Sequence, residues 1–258
     1  MSRVVYSCKS LAYPIVSSAF YLLVSYILKA NRSLFSSLYK NNRTYQRTIK
    51  RVGAIYNLVM TCFSLIIFYC LSQALIQEYG TMFNHNVWFS NRVIEDAHIR
   101  NICWIFTHSK TLEYFDTFFV LLKGGRPIFL QKFHHFGAVW TWFLSSYIDA
   151  SSCIIATLFN SLVHSFMYCY YFLSVFDESK RLSRIKPIMT SIQQVQLAYC
   201  FLTILFDYTV KHYQGTVFDK YIVINVIGLI YGLGLNLLFM QFSLTNYFWS
   251  KPSTSKDS

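Results

Sequence analysis

Apolar residues run through this chain in long continuous blocks separated by short polar stretches. Seven blocks stand out, at about 10–28, 52–75, 100–122, 128–147, 152–174, 189–208 and 222–246. Each approaches the ~20 residues that carry an α-helix across a ~30 Å hydrocarbon layer. The strands of a membrane β-barrel would instead show alternating segments of about ten residues. The pattern therefore predicts an all-α polytopic membrane protein with seven transmembrane helices. The linker FDESKRLSRIK parts the fifth block from the sixth, and no linker is long enough for a second domain. One integral membrane domain over 1–258 follows, with 249–258 reading as a disordered tail.

The polar positions inside those blocks are the exceptions that need a reason, because an ionisable side chain at mid-bilayer costs about 2.5–3.5 kcal/mol on insertion scales. The third block contains SKTLEYFDTFF. At about 100° per residue, Lys110, Glu113 and Asp116 fall on one face, and Lys110 can pair with Glu113. The fourth contains QKFHH, where Gln131, His134 and His135 point one way within a single turn. The fifth contains NSLVHSFMYCYY, which sets Asn160, His164, Met167, Tyr168 and Tyr171 within about 100° of each other. The sixth opens TSIQQVQ, clustering Thr190, Gln193, Gln194 and Gln196. Each motif alone has a plain structural reading: an ion-pair staple, a satisfied core histidine, an aromatic packing stripe, interhelical hydrogen-bond glue. Four helices that each carry polar groups on one face are more simply explained by a shared polar chamber.

Composition sharpens this. The chain is 54% hydrophobic and 13% charged, about half the charged fraction of a soluble domain. The net charge of +12 would suggest nucleic acid in a soluble protein. Here it follows the excess of Lys and Arg in cytoplasmic loops, and no nucleic-acid partner is implied. Loop 29–51 holds Lys29, Arg32, Lys40, Arg43, Arg47, Lys50 and Arg51 without an acid; the KGGRP turn adds Lys123 and Arg126; loop 175–188 adds Lys180, Arg181, Arg184 and Lys186 against Asp177 and Glu178. The loops on the other side are balanced, with Arg92, Glu95, Asp96 and Arg100. With seven spans the N-terminus is lumenal and the C-terminus cytosolic. The chamber then opens to the cytosol through a ring of cations, which suits a ligand that is anionic at the mouth and apolar beyond. The seven cysteines form no CxxC pair and read as packing residues.

The stretches SKTLEYFDTFFVLLK, FLQKFHH, NSLVHSFMYCYY, KPIMTSIQQVQ and LFMQFSLTNY, in that order, resemble the ELO group of very-long-chain fatty acid elongases. The likeness is dense from about residue 100 onward and looser before it, through YLL, NRSLF and AIYN. It implies an endoplasmic reticulum membrane enzyme, six of whose seven helices ring a narrow tunnel. Such an enzyme is a 3-oxoacyl-CoA synthase: it condenses a long-chain acyl-CoA with malonyl-CoA to give 3-ketoacyl-CoA, CO2 and CoA, with no metal or other cofactor. Its partners would be membrane lipid and the ketoacyl-CoA reductase, dehydratase and enoyl reductase of the elongation cycle; a homodimer is left open. The resemblance implies catalytic roles for His134, His135, His164 and Gln131. It implies CoA contacts at Lys110, Lys123, Lys186 and Thr190, with Tyr170 inside the tunnel, and weaker ones at Arg126 and Lys251. Glu113, Asp116, Asn160, Tyr168, Gln193 and Gln196 complete the expected substrate lining. The family usually carries His-x-x-His-His, whereas Gln131 stands first here. Glutamine neither accepts a proton nor attacks an acyl carbon at neutral pH, but it hydrogen-bonds both ways. Its place therefore suits orientation, leaving the chemistry to His134, opposite His164.

Two other classes fit parts of the pattern. A membrane di-iron desaturase or hydroxylase uses similar boxes but needs more histidines than the seven at 85, 98, 108, 134, 135, 164 and 212, none in an HxxxH spacing. A transporter would use the same charges as a substrate path, yet no internal repeat is visible.

Overall fold

A computed structural model of the protein describes residues 10–83, 94, 96–177, 179, 181–213 and 220–248, and it is helical almost throughout. Among the described residues nine α-helices follow one another: α1 (Ala12–Ala30), α2 (Arg32–Asn41), α3 (Arg43–Tyr79), α4 (Ala97–Leu112), α5 (Tyr114–Leu122), α6 (Phe129–Tyr147), α7 (Ser152–Ser174), α8 (Lys186–Tyr213) and α9 (Lys220–Ser243). A short 3-10 helix, Arg181–Ile185, leads into α8, and a π-helical turn, Leu244–Phe248, ends α9.

Among the described residues, five helical segments are long and apolar enough to cross a membrane: Ala12–Ala30, Arg43–Tyr79, Ser152–Ser174, Arg181–Phe206 and Val223–Tyr247. The protein is thus a multi-pass membrane protein. The other two blocks depart from the simple pattern for one reason: both carry the polar residues of the chamber. The third, 100–122, is two helices broken at Glu113, of 16 and 9 residues. The fourth, α6, has 19 residues but carries Gln131, Lys132, His134 and His135.

Loop 29–51 also differs from its reading as a connection. It folds as α2 and the first turns of α3, with Asn42 as N-cap, its Oδ1 accepting from the Tyr45 amide at 3.0 Å. Helix α3 therefore runs 37 residues, about 55 Å at 1.5 Å per residue. That is longer than a bilayer core, so its basic first turns stand outside. A helix in water carries charge freely, which is why apolar runs do not reveal it. The KGGRP turn docks on α2: Arg32 Nε donates to the Gly124 carbonyl at 2.9 Å. Gly124 has φ +73°, and a Cβ there would lie 2.5 Å from Ser36 Cα, so only glycine fits.

Helices α3 and α7 form the spine of the bundle. Their buried positions alternate large and small: Ile67, Leu71 and Leu75 with Ser64 and Ala74 on α3, Ile154, Ile155 and Leu158 with Thr157 and Ser161 on α7. In lipid, association gains little from water exclusion, so close approach over small residues supplies the packing energy. At one end, Ile67, Leu71, Leu75, Ile99, Ile102, Phe106, Ile154 and Leu158 close into a dense apolar cluster. At the same end Asp96 caps α4 through the Ile99 amide at 2.7 Å, and Arg100 pairs with Asp149 at 3.6 Å. Arg92 and Glu95, assigned to that loop, lie outside the described residues, as do Glu178, Lys180 and the tail. Helices α8 and α9 pack on each other and form a looser wall: 11% of each apolar window is buried, against 61% for α7.

Candidate active site

The site begins at the break between α4 and α5. There the Glu113 N–H donates to the Thr111 carbonyl, and Asp116 N–H donates to the Glu113 carbonyl at 3.1 Å. Glu113 keeps right-handed helical dihedrals there, and its carboxylate lies inside the bundle, where only 1% of the residue is exposed. Lys110 donates to Glu113 Oε1 at 2.7 Å and to Asn160 Oδ1 of α7 at 2.6 Å. Its ammonium also lies 4.0 Å from the Phe106 ring centroid and 4.7 Å from that of Trp142. Buried charges persist only when paired and hydrogen-bonded, and this pair meets both conditions.

Three histidines converge on the same carboxylate. His164 Nδ1 of α7 lies 3.3 Å from Oε1. From α6, His134 Nε2 lies 3.9 Å and His135 Nδ1 4.0 Å from Oε2. Oε2 and His135 Nδ1 are both buried without a hydrogen-bond partner. His134 is braced from α9, its Nδ1 3.1 Å from the Tyr231 hydroxyl. Asp116 accepts from the Tyr168 hydroxyl at 2.7 Å, and Tyr56 of α3 stands 3.5 Å behind Tyr168.

These groups line a cavity of about 540 Å³. Leaving aside the two weaker CoA contacts, Arg126 and Lys251, all of the expected site residues but one border it: Gln131, His134 and His135 on α6; Asn160, His164, Tyr168 and Tyr170 on α7; Thr190, Gln193 and Gln196 on α8; and Glu113, Asp116, Lys123 and Lys186. The exception is Lys110. It is buried to 1% and absent from the lining, because Glu113 and Asn160 already hold its ammonium. Lys110, expected to meet CoA, is placed against Glu113 and Asn160 instead of on the lining. Arg126 is exposed and apart from the lining, and Lys251 lies outside the described residues. Gln194 faces the neighbouring helix, accepting from Ser243 of α9 at 3.2 Å, which is the interhelical glue its sequence context allowed. Thr190 pairs with Tyr247 at 3.2 Å.

The cavity also takes residues that pattern did not single out as site residues: Lys50, Gly53 and Asn57 on α3, and Phe239, Phe242 and Tyr247 at the end of α9. Lys50 sat in a basic stretch read as loop, and Phe239, Phe242 and Tyr247 fall in the LFMQFSLTNY stretch, to which no site role was attached. Lys50, Lys123 and Lys186, all exposed, make the mouth positive. Lys186 is delivered by the 3-10 turn. There Asp177 accepts from the Leu182 amide at 2.7 Å and the Ser179 hydroxyl at 2.8 Å. The Leu182 amide holds that carboxyl below the usual carboxylate range.

Among the described residues, one group could offer a metal three ligands: Glu113, His134 and His135, whose ligating atoms lie within 4.8 Å of one another. The Lys110 ammonium already neutralises that carboxylate. His108 is elsewhere, Nδ1 2.8 Å from the Trp104 carbonyl oxygen; His85 lies outside the described residues.

A family model, the GNS1/SUR4 (ELO) family, matches residues 6–256. The chain belongs to that family. The match reaches into the N-terminal third, where the motifs are loose. Over 146 residues the chain is 32% identical to very long chain fatty acid elongase 5 of Tachysurus fulvidraco, covering 55% of this chain and 49% of that protein. Fatty acid elongase 3 of Trypanosoma cruzi is 29% identical over 137 residues, 53% of this chain and 45% of the relative. Very long chain fatty acid elongase 7 of Rattus norvegicus is 29% identical over 221 residues, 81% of this chain and 74% of the relative. The chain spans about half the length of the first two relatives.

Proposed function

We propose that this protein is a fatty acid elongase, condensing a long-chain acyl-CoA with malonyl-CoA to give a 3-ketoacyl-CoA two carbons longer, CO2 and free CoA. The observation that carries the reading is the meeting of His134 and His164, from two helices, on the Glu113 carboxylate inside a cavity rimmed by Lys50, Lys123 and Lys186. Family membership and the names of the relatives point the same way.

An imidazole is a competent acyl acceptor near neutral pH. His134 Nε2 attacks the thioester carbonyl, the C–S bond breaks, and the CoA sulfur leaves with a proton from the imidazole. Malonyl-CoA then enters. Its carboxylate leaves as CO2, and the C–C bonding pair becomes the enolate that displaces the imidazole from the acyl carbon. His134 is regenerated on taking up one proton. His164, its Nδ1 held by Glu113, presents Nε2 to the same space, and His135 and Gln131 help hold the developing oxyanions. Lys110 keeps Glu113 charged and in place. The mouth lysines and Thr190 meet the CoA phosphates, while Tyr170 and the aromatic lining meet the acyl chain.

The reading includes one membrane domain with seven spans: α1, α3, the α4–α5 pair, α6, α7, α8 and α9. Six of these elements border the cavity, in keeping with a ringed tunnel. It includes an endoplasmic reticulum location with the mouth and C-terminus cytosolic, chemistry without a metal, and the reductases and dehydratase of the cycle as partners. The test is incorporation of labelled malonyl-CoA by the purified protein in lipid, against a panel of acyl-CoAs of graded length. Labelled 3-ketoacyl-CoA is expected for at least one. Failure with every acyl-CoA, by protein shown to be folded, overturns the reading.

A further inference from the structure

Tyr231 of α9 makes two contacts with one histidine of α6. Its hydroxyl donates to the His134 carbonyl oxygen at 3.1 Å and lies 3.1 Å from His134 Nδ1. A phenol has one proton. With that proton on the carbonyl, the hydroxyl oxygen can only accept from Nδ1–H. The ring is then the Nδ1–H tautomer, and Nε2 carries the lone pair.

A second observation agrees. His134 Nε2 faces Glu113 Oε2 across 3.9 Å, and that buried oxygen has no hydrogen-bond partner. At 3.9 Å the two atoms are not hydrogen-bonded, so the carboxylate does not claim a proton on Nε2.

The packing around Tyr231 fixes the arrangement. Its ring stacks on Phe133, centroids 5.5 Å apart and planes at 24°. On the other side it lies against Gly137, where an added Cβ would sit 2.2 Å from Tyr231 Cε2. Residue 137 has to be glycine for the ring to seat there. The contact spans 97 positions of sequence and ties the looser α8–α9 wall to the helix bearing the histidines.

We infer that Tyr231 is a positioning residue that sets the ring orientation and tautomer of His134, aiming Nε2 into the cavity for acyl transfer. The inference deepens the elongase reading and rests on it. It adds to the reaction a group on α9 that lies outside the cavity lining.

The test uses the full-length protein in lipid nanodiscs. Tyr231→Phe keeps the ring, its stack and its seat on Gly137, and removes only the hydroxyl. Acylation of the enzyme by labelled acyl-CoA, measured without malonyl-CoA, should slow roughly tenfold, with KM for acyl-CoA within about twofold. In ¹⁵N-histidine-labelled protein, the His134 signal is the one lost in His134→Gln. It should show a protonated Nδ1 and bare Nε2 in wild type, and a shift toward Nε2–H in Tyr231→Phe. Gly137→Ala, which pushes the ring off its seat while keeping the hydroxyl, should give the same shift. A wild-type acylation rate in Tyr231→Phe overturns the inference. So does slow acylation with an unchanged nitrogen pattern, and so does a bare Nδ1 in wild type. Wild-type protein that neither acylates nor incorporates malonyl-CoA overturns the elongase reading instead, and the nitrogen spectrum still decides the tautomer.

Discussion

The two ends of the bundle share helices α3 and α7 and do opposite things. At the closed end, α3, α4 and α7 lock Ile67, Leu71, Leu75, Ile99, Phe106, Ile154 and Leu158 into a dense apolar cluster. At the open end, α3, α6 and α7 separate around a polar cavity holding Glu113 and three histidines. Lys110 marks the boundary: its ammonium lies over the Phe106 and Trp142 rings of the closed end and bonds Glu113 and Asn160 of the open end. The difference teaches that a void full of polar groups survives in a bilayer when an adjacent well-packed region fixes the helices that frame it. Orientation of the histidines is set by the closed end as much as by their own contacts.

Four perturbations separate the two ends, from the largest expected effect to the smallest. His134→Ala should lower condensation by about three orders of magnitude or more while leaving thermal unfolding near wild type; elongation at the wild-type rate would show that another group accepts the acyl chain. Glu113→Gln should damage both ends. It strands a buried ammonium, at a cost of about 3–5 kcal/mol, and releases His164, so unfolding temperature and activity should fall together. Leu71→Ala should cost about 2–5 kcal/mol through the cavity left behind and leave kcat of the surviving folded protein close to wild type; a selective loss of kcat would show that the ends are less independent than described. Gln131→His should be tolerated, with activity within a fewfold of wild type; a large loss would show that position 131 does more than orient.

The mouth gives a finer probe. Asp177 holds the turn that delivers Lys186, and its carboxyl is held below the usual range by the Leu182 amide. A depressed carboxyl contributes order that is present above its unfolded value and lost as pH falls through the folded one. Amide exchange at Leu182 should stay slow at neutral pH and quicken only under acid. In Asp177→Asn that acid dependence should vanish.

Legibility followed regularity. Helix α7 is unbroken from Ser152 to Ser174, so helical geometry placed Asn160, His164, Met167, Tyr168 and Tyr171 on one face, and all five border the cavity. The same arithmetic on KTLEYFD assumed one continuous helix. The chain breaks at Glu113, but it is the hold of Glu113 and Asn160 on its ammonium that keeps Lys110 off the lining while Glu113 and Asp116 stay on it. Spacing does not announce such a break, since Leu112, Glu113 and Tyr114 include neither proline nor glycine. Tyr231 and Gly137 were invisible for another reason. They meet across nearly a hundred residues, and a tyrosine in an apolar run has no periodicity that marks it. Lys50 was hidden because the watery start of α3 looks like loop to any test based on apolarity.

The elbow at Glu113 bears on how the protein enters its membrane. Neither α4 nor α5 is long enough to cross a bilayer alone, and between them they carry a lysine and two acids whose partners sit on α7. A nascent segment of that kind would be rejected by lipid on its own account. Its lodging at depth depends on a later helix arriving with an amide and a phenol, so Asn160 and Tyr168 serve biogenesis before they serve any substrate.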